Sequence, residues 1–255
     1  MNSAGQHDLW QDRHMPFFDG DRGRMHYRRW PVGASVATAL LLPGMGQHSG
    51  HYHRFARSLT AARIDLWALD TAGHGLSEGD PHAPGTLTEL VADAVRLFEL
   101  ARAATPAGPM LLMGHSLGAV TALGMLGAAV PDAGDATPNW TVVERALPLR
   151  PAVPLDALSG LVLSGTPKRA LGGGRPGAVG TPLPRTLPIL AVHGEEDRRA
   201  PIDAVRVWTA RHESVDLRAY ADAGHDLLHE PVHARVAADI ADWMRGVVAG
   251  LVRRP

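Results

Sequence analysis

Short, largely apolar runs alternate with helical patterns along most of this chain, and that alternation limits the folds open to it. The runs are Val36 to Leu42, "RIDLWALD" ending at Asp70, Met110 to Met113, "ALSGLVLSG" and "LPILAVHG". They do not alternate apolar with polar, so both faces of each strand are covered. Strands of that kind belong to a mostly parallel sheet with helices on both sides. A weaker strand pattern lies near Asp216 to Ala219, and "FFDGDRGRMHYRRW" carries turn chemistry between two strand-like runs, which predicts a hairpin.

Between the strands the period changes. Thr86 stands three residues before Glu89, a capping-box pattern, and Leu87, Leu90, Val91, Ala94, Val95 and Phe98 recur at helical spacing. The pattern predicts an amphipathic helix over 87–104. Further helices are expected over about 51–62, from Leu117 toward Pro131, and over about 201–211 and 231–249, the last with Val232, Val236, Ile240, Trp243, Met244 and Val247 as its buried stripe. Two stretches break the rhythm. Residues 131–157 are rich in Pro, Ala and Asp, and "KRALGGGRPGAVGTPLPRT" at 168–186 is threaded with Gly and Pro. Both read as insertions or loops in a single domain spanning 1–255.

Composition excludes several functions. A formal net charge of −1 offers no electrostatic basis for binding nucleic acid. With no cysteine there is no thiolate nucleophile, disulfide or cysteine-ligated metal. The polar start "MNSAGQHDLWQDRH" has no signal-peptide core, and no apolar run is long enough to span a bilayer. The expectation is a cytoplasmic protein without stable membrane insertion. His48, His51 and His53 lie close in sequence, but no carboxylate accompanies them, so no metal is expected.

The chemistry concentrates at "LLMGHSLGAV". Gly114-His115-Ser116-Leu117-Gly118 fits G-x-S-x-G, follows a short apolar strand and opens an apolar helix, which is the setting of a nucleophile elbow. A serine hydroxyl near pH 7 needs a base, and the base needs an orienting carboxylate. In folds built around such an elbow the acid and then the base follow later strands. "LPILAVHGEEDRRAP" offers Asp197, with Glu195 and Glu196 as rivals. "YADAGHDLLHE" offers His225, with His229 as its competitor one helical turn on and expected to cap or pack on the final helix. His193 reads as a packed strand end and His115 as support for the elbow.

With "LLPGMGQHSGHYHRFARSL", "DLWALDTAGHGLSEG", "GHSLGA", "HGEEDRRAP" and "AGHDLLHE" in this order, the chain resembles an α/β-hydrolase of the monoglyceride lipase and lysophospholipase group, also described as serine aminopeptidase-like. The resemblance implies an α/β-hydrolase fold, a Ser116–Asp197–His225 triad and an oxyanion hole made by the backbone N–H groups of Met45 and Leu117. It also implies a serine carboxylic-ester hydrolase acting on a small-molecule ester through an acyl-enzyme, without a cofactor. Related chemistry on this scaffold would be a thioesterase or acyltransferase using an acyl chain held on a carrier protein; a third reading is a non-catalytic ligand-binding homologue. Two departures stand out. Pro43-Gly44 replaces the group's usual His-Gly, and only 168–186 stands where relatives carry a helical lid. A reduced cap implies an open cleft.

Overall fold

The computed structural model describes residues 16–127, 150–171 and 183–252. The arm at 1–14 lies outside these, as do most of the two irregular stretches singled out above; of these, the ends 150–157, 168–171 and 183–186 are described.

Among the described residues the chain forms one eight-stranded sheet, in the order Phe17–Gly20, Gly23–Trp30, Ile64–Leu69, Ala37–Leu42, Met110–His115, Gly160–Ser164, Ile189–Gly194 and Val215–Tyr220. The predicted hairpin is present as β1 (Phe17–Gly20) and β2 (Gly23–Trp30), paired antiparallel. β2 is antiparallel to β4 (Ile64–Leu69). From β4 onward the sheet is parallel: β3 (Ala37–Leu42), β5 (Met110–His115), β6 (Gly160–Ser164), β7 (Ile189–Gly194) and β8 (Val215–Tyr220). Every residue of β3 to β7 is buried, as strands covered on both faces require.

The helices supply that cover. α1 (His53–Ala61) and α5 (His233–Val252) pack on one face, where Phe55, Leu59, Val236, Ile240 and Met244 meet Leu41, Leu66, Met113 and Val192. α2 (Leu87–Ala104) and α3 (Leu117–Met125) pack on the other, where Leu97, Phe98 and Leu123 meet Leu40, Leu112 and Leu163. Leu111 and Leu112 thus serve opposite cores, the period-two alternation expressed with apolar residues on both sides. α4 (Ile202–Thr209) places Trp208 against the second core, beside Leu187 and Ile189. The capping box at α2 is complete: Thr86 accepts from the Glu89 N–H, and Glu89 accepts from the Thr86 N–H at 2.6 Å. A 3-10 turn, Ser49–Tyr52, leads into α1 where the sequence pattern predicts the helix to begin at 51. No helix among the described residues is long and apolar enough to cross a membrane.

Parallel strands end on the same edge. The loops after β3, β5, β6, β7 and β8 therefore meet at the carboxyl edge of the sheet, where such folds gather their functional groups.

Candidate active site

The loop between β5 and α3 is a single residue, Ser116. Its backbone stands at φ 51°, ψ −110°, a conformation that costs a non-glycine residue about 1–3 kcal/mol. The turn is held in several ways. The Ser116 N–H donates to the Ser164 carbonyl at 2.9 Å. α3 also runs hard against the end of β3, where a Cβ on Gly118 would fall 1.8 Å from the Leu42 carbonyl oxygen. Only glycine permits that approach, which explains the second glycine of G-x-S-x-G.

Ser116, His225 and Asp197 meet through hydrogen bonds. His225 Nε2 lies 2.9 Å from Ser116 Oγ across 109 residues of sequence, and His225 Nδ1 lies 2.7 Å from Asp197 Oδ2. With Nδ1–H donating to the carboxylate, Nε2 is left to accept the serine proton. The other carboxylate oxygen of Asp197 accepts from the N–H groups of Arg199 and Ala200 at 2.9 and 2.8 Å. Burial opposes the charge on Asp197. Hydrogen bonds from His193, His225 and the Ala200 N–H outweigh it and hold the carboxyl well below the usual aspartate range. Asp197 is therefore anionic throughout the neutral range.

The competing residues lie elsewhere. Glu195 is exposed and pairs with Arg206 at 2.6 Å, and Glu196 is exposed on the same loop. The His229 ring lies edge-on to Tyr52 and His51, beside the loop after β3. His193 is buried at its strand end as expected, its Nε2–H donating to the Ala200 carbonyl at 2.7 Å and facing Asp197 Oδ2 at 3.3 Å. The three histidines after β3 diverge. His48 and His51 stack with ring centroids 3.9 Å apart, while His53 accepts from the Trp30 indole N–H. Among the described residues, the side chains that could share a metal ion are instead His115, His225 and Asp226.

The resemblance assigns the oxyanion hole to the N–H groups of Leu117 and Met45. Leu117 opens α3, so its N–H has no partner within the helix. Met45 lies in the loop after β3. That loop reaches the elbow, since a Cβ at Gly44 would stand 3.2 Å from the Ser116 Cβ.

Sequence reasoning missed the polar network that joins these loops. Asp226 Oδ1 accepts from Gln47 Nε2 at 2.9 Å and from His115 Nε2 at 3.2 Å. His115 Nδ1 then accepts from the Ser164 hydroxyl at 3.2 Å, and Gln47 Oε1 accepts from Tyr52 and from the Gly44 N–H. Burial lowers the pKa of His115 despite Asp226, so the ring is neutral and carries its one proton toward the carboxylate. The Ser116 turn, the loop after β3 and the His225 loop are thereby tied at one carboxylate. Asp226 follows His225 directly in "GHD", and that adjacency was the only available signal.

Comparisons with known proteins agree with this architecture. The family model described as serine aminopeptidase, S33, matches residues 33–136. A monoacylglycerol lipase of Mycolicibacterium smegmatis is 28% identical over 87% of this chain and 92% of its own length. Human monoglyceride lipase is 33% identical over 38% of this chain and 32% of its own. Among solved structures, a thermostable carboxyl esterase from Bacillus coagulans superposes with a TM-score of 0.69 at 14% identity, covering 92% of this chain and 98% of the esterase.

Proposed function

We propose that this chain, an α/β-hydrolase of the monoglyceride lipase-like group, cleaves carboxylic esters with Ser116 as nucleophile. The hydrogen-bonded series Asp197–His225–Ser116 carries the reading. Ser116 Oγ attacks the ester carbonyl as His225 Nε2 takes its proton. Asp197 keeps Nδ1 protonated and stabilises the imidazolium that forms. The N–H groups of Met45 and Leu117 receive the developing oxyanion, each such donor being worth about 3–4 kcal/mol in the transition state. His225 then returns the proton to the leaving alcohol, and water repeats the sequence on the acyl-enzyme, releasing the acid.

Supporting the reading is the price in strain at Ser116, held at an unfavourable φ by the Ser164 carbonyl and the close approach of α3. A structural serine has no need of that conformation.

The test is direct. A fluorophosphonate probe labels the wild-type protein once, at Ser116, and p-nitrophenyl butyrate is hydrolysed. Ser116→Ala loses both labelling and turnover while its circular dichroism spectrum and melting temperature stay those of the wild type. A folded wild-type protein that is neither labelled nor active refutes the assignment. Higher kcat/KM on butyryl thioesters than on the matched oxygen ester would redirect it to thioester chemistry.

A further inference from the structure

His115, His225 and Asp226 bring two imidazole nitrogens and a carboxylate oxygen within 4.8 Å of one another. One pair, His115 Nε2 and Asp226 Oδ1, is 3.2 Å apart. Ligands bonded to zinc at about 2.0–2.2 Å stand roughly 3.3–3.6 Å apart around a tetrahedron, so the widest gap has about 1–1.5 Å to close. Both rings are buried, while the Asp226 side chain is 35% exposed and gives an ion its approach from solvent.

The groups behind these three side chains are those a metal site requires. A metal-bound imidazole is held at its second nitrogen by a hydrogen bond that fixes ring and tautomer. His225 has such a bond: its Nδ1–H donates to Asp197 Oδ2 at 2.7 Å, so Nε2 presents a lone pair. His115 Nδ1 lies 3.2 Å from the Ser164 hydroxyl. When Nε2 binds an ion, the ring proton passes to Nδ1, and the Ser164 hydroxyl accepts where it had donated. A hydroxyl can do either, and no proton is gained or lost overall. Gln47 Nε2 donates to Asp226 Oδ1 at 2.9 Å, so the third ligand is oriented as well. One charge opposes a cation: Arg199 Nη1 stands 3.7 Å from Asp226 Oδ2, on a side chain that is 72% exposed and can swing aside. Two imidazoles and one carboxylate suit zinc. Magnesium and calcium take oxygen ligands instead.

We propose that His115, His225 and Asp226 form an inhibitory site for a transition-metal dication, zinc by ligand type. The ion takes the lone pair of His225 Nε2, which otherwise accepts the Ser116 proton across 2.9 Å, so the hydroxyl is no longer activated. The inhibition rests on the ester-hydrolase reading above; the binding of the ion does not.

Calorimetric titration of the full chain with zinc chloride tests the site directly. The wild-type protein is expected to bind one ion at these ligands. Asp226→Asn and His115→Gln should each weaken that binding about 100-fold, the upper end of what losing an outer partner of a metal site costs. Arg199→Gln should tighten it about fivefold, the effect of removing a like charge some 4 Å away. Zinc should also slow both fluorophosphonate labelling of Ser116 and hydrolysis of p-nitrophenyl butyrate, half-maximally at the calorimetric Kd. Each protein is compared with its own zinc-free rate. A chelator should restore the rate, and magnesium or calcium at the same concentration should leave it unchanged. No binding up to about 1 mM zinc overturns the proposal. Equal affinity in wild type, Asp226→Asn and His115→Gln overturns it too, since the ion then sits on other histidines. Zinc bound at this site with an unchanged labelling rate removes the inhibitory role. If metal-free wild-type protein is neither labelled nor active, the hydrolase reading fails and the inhibition with it, while the calorimetry still decides whether the three residues hold the ion.

Discussion

Gly165 lies directly against His225: a Cβ added at Gly165 would stand 3.1 Å from the His225 Cε1 atom and 3.0 Å from that of His115. The glycine follows β6, two strands away from the histidine's own loop, and its φ of 55° lies in the left-handed region. Both constraints act together, because a side chain would strain the backbone and push the imidazole off Ser116. Gly165→Ala is therefore expected to lower kcat on p-nitrophenyl butyrate by about 10–100-fold, the scale of a displacement of under 1 Å in a reacting group. The rate of fluorophosphonate labelling should fall by the same factor. Unchanged labelling would show that the imidazole tolerates the shift.

Asp197→Asn tests the orienting acid. An amide in place of the carboxylate can donate to Nδ1, favouring the tautomer with the proton on Nε2, where it cannot accept from Ser116. A loss in kcat on the order of 10⁴ is expected, the size found for such a tautomer change in another serine triad. Glu195→Gln should leave kcat within about twofold of wild type, since Glu195 is exposed and engaged with Arg206. A fully active Asp197→Asn protein would transfer the role to one of the glutamates.

What could be read from the sequence was local. The buried strands announced themselves as apolar runs, α2 as a periodic stripe behind a capping box, and the elbow as glycines flanking Ser116 after a strand. Each signal spans a few neighbouring residues. Gly165 carried no such mark, because the ring it accommodates lies 60 positions further along the chain and only the folded sheet brings the two together. Asp226 escaped for the same reason: its partners His115 and Gln47 are 111 and 179 residues away. The histidines after β3 were read as a group on spacing alone, but the turn at Ser49–Tyr52 sends His53 to Trp30 and leaves His48 with His51.

Asp226 is expected to act by positioning, so that its influence appears in kcat more than in stability. Its carboxylate joins Gln47 of the loop after β3 to His115, next to Ser116. Asp226→Ala and Gln47→Ala are each expected to lower kcat by about tenfold. The double variant should be little worse than the poorer single, because both remove the same link and such changes do not add. Asp226→Asn should recover part of the loss, since its amide oxygen still accepts one hydrogen bond. Turnover is normalised to sites labelled by fluorophosphonate. A residue that served folding alone would lower the number of labelled sites and leave kcat per site unchanged.

Asp70 gives the acid dependence of stability. Its side chain is buried and accepts from the Ser49 N–H at 2.6 Å, from the Leu76 N–H at 3.0 Å and from His26 Nδ1 at 2.8 Å, so it secures the loop after β3 and the loop after β4. Burial alone would raise its pKa. The hydrogen bonds from His26, Leu76 and Ser49 prevail and bring it to about 2, below the ordinary value of 3.8. A folded pKa below the unfolded one stabilises the protein above pH 3.8, by roughly 2 kcal/mol here, and that contribution drains away as the pH falls toward 2. Urea unfolding of wild type and Asp70→Asn should therefore differ most near pH 7, with the gap narrowing between about pH 5 and pH 2. A gap that holds constant across that range would mean that the charge on Asp70 contributes nothing and that only the shape of the side chain matters.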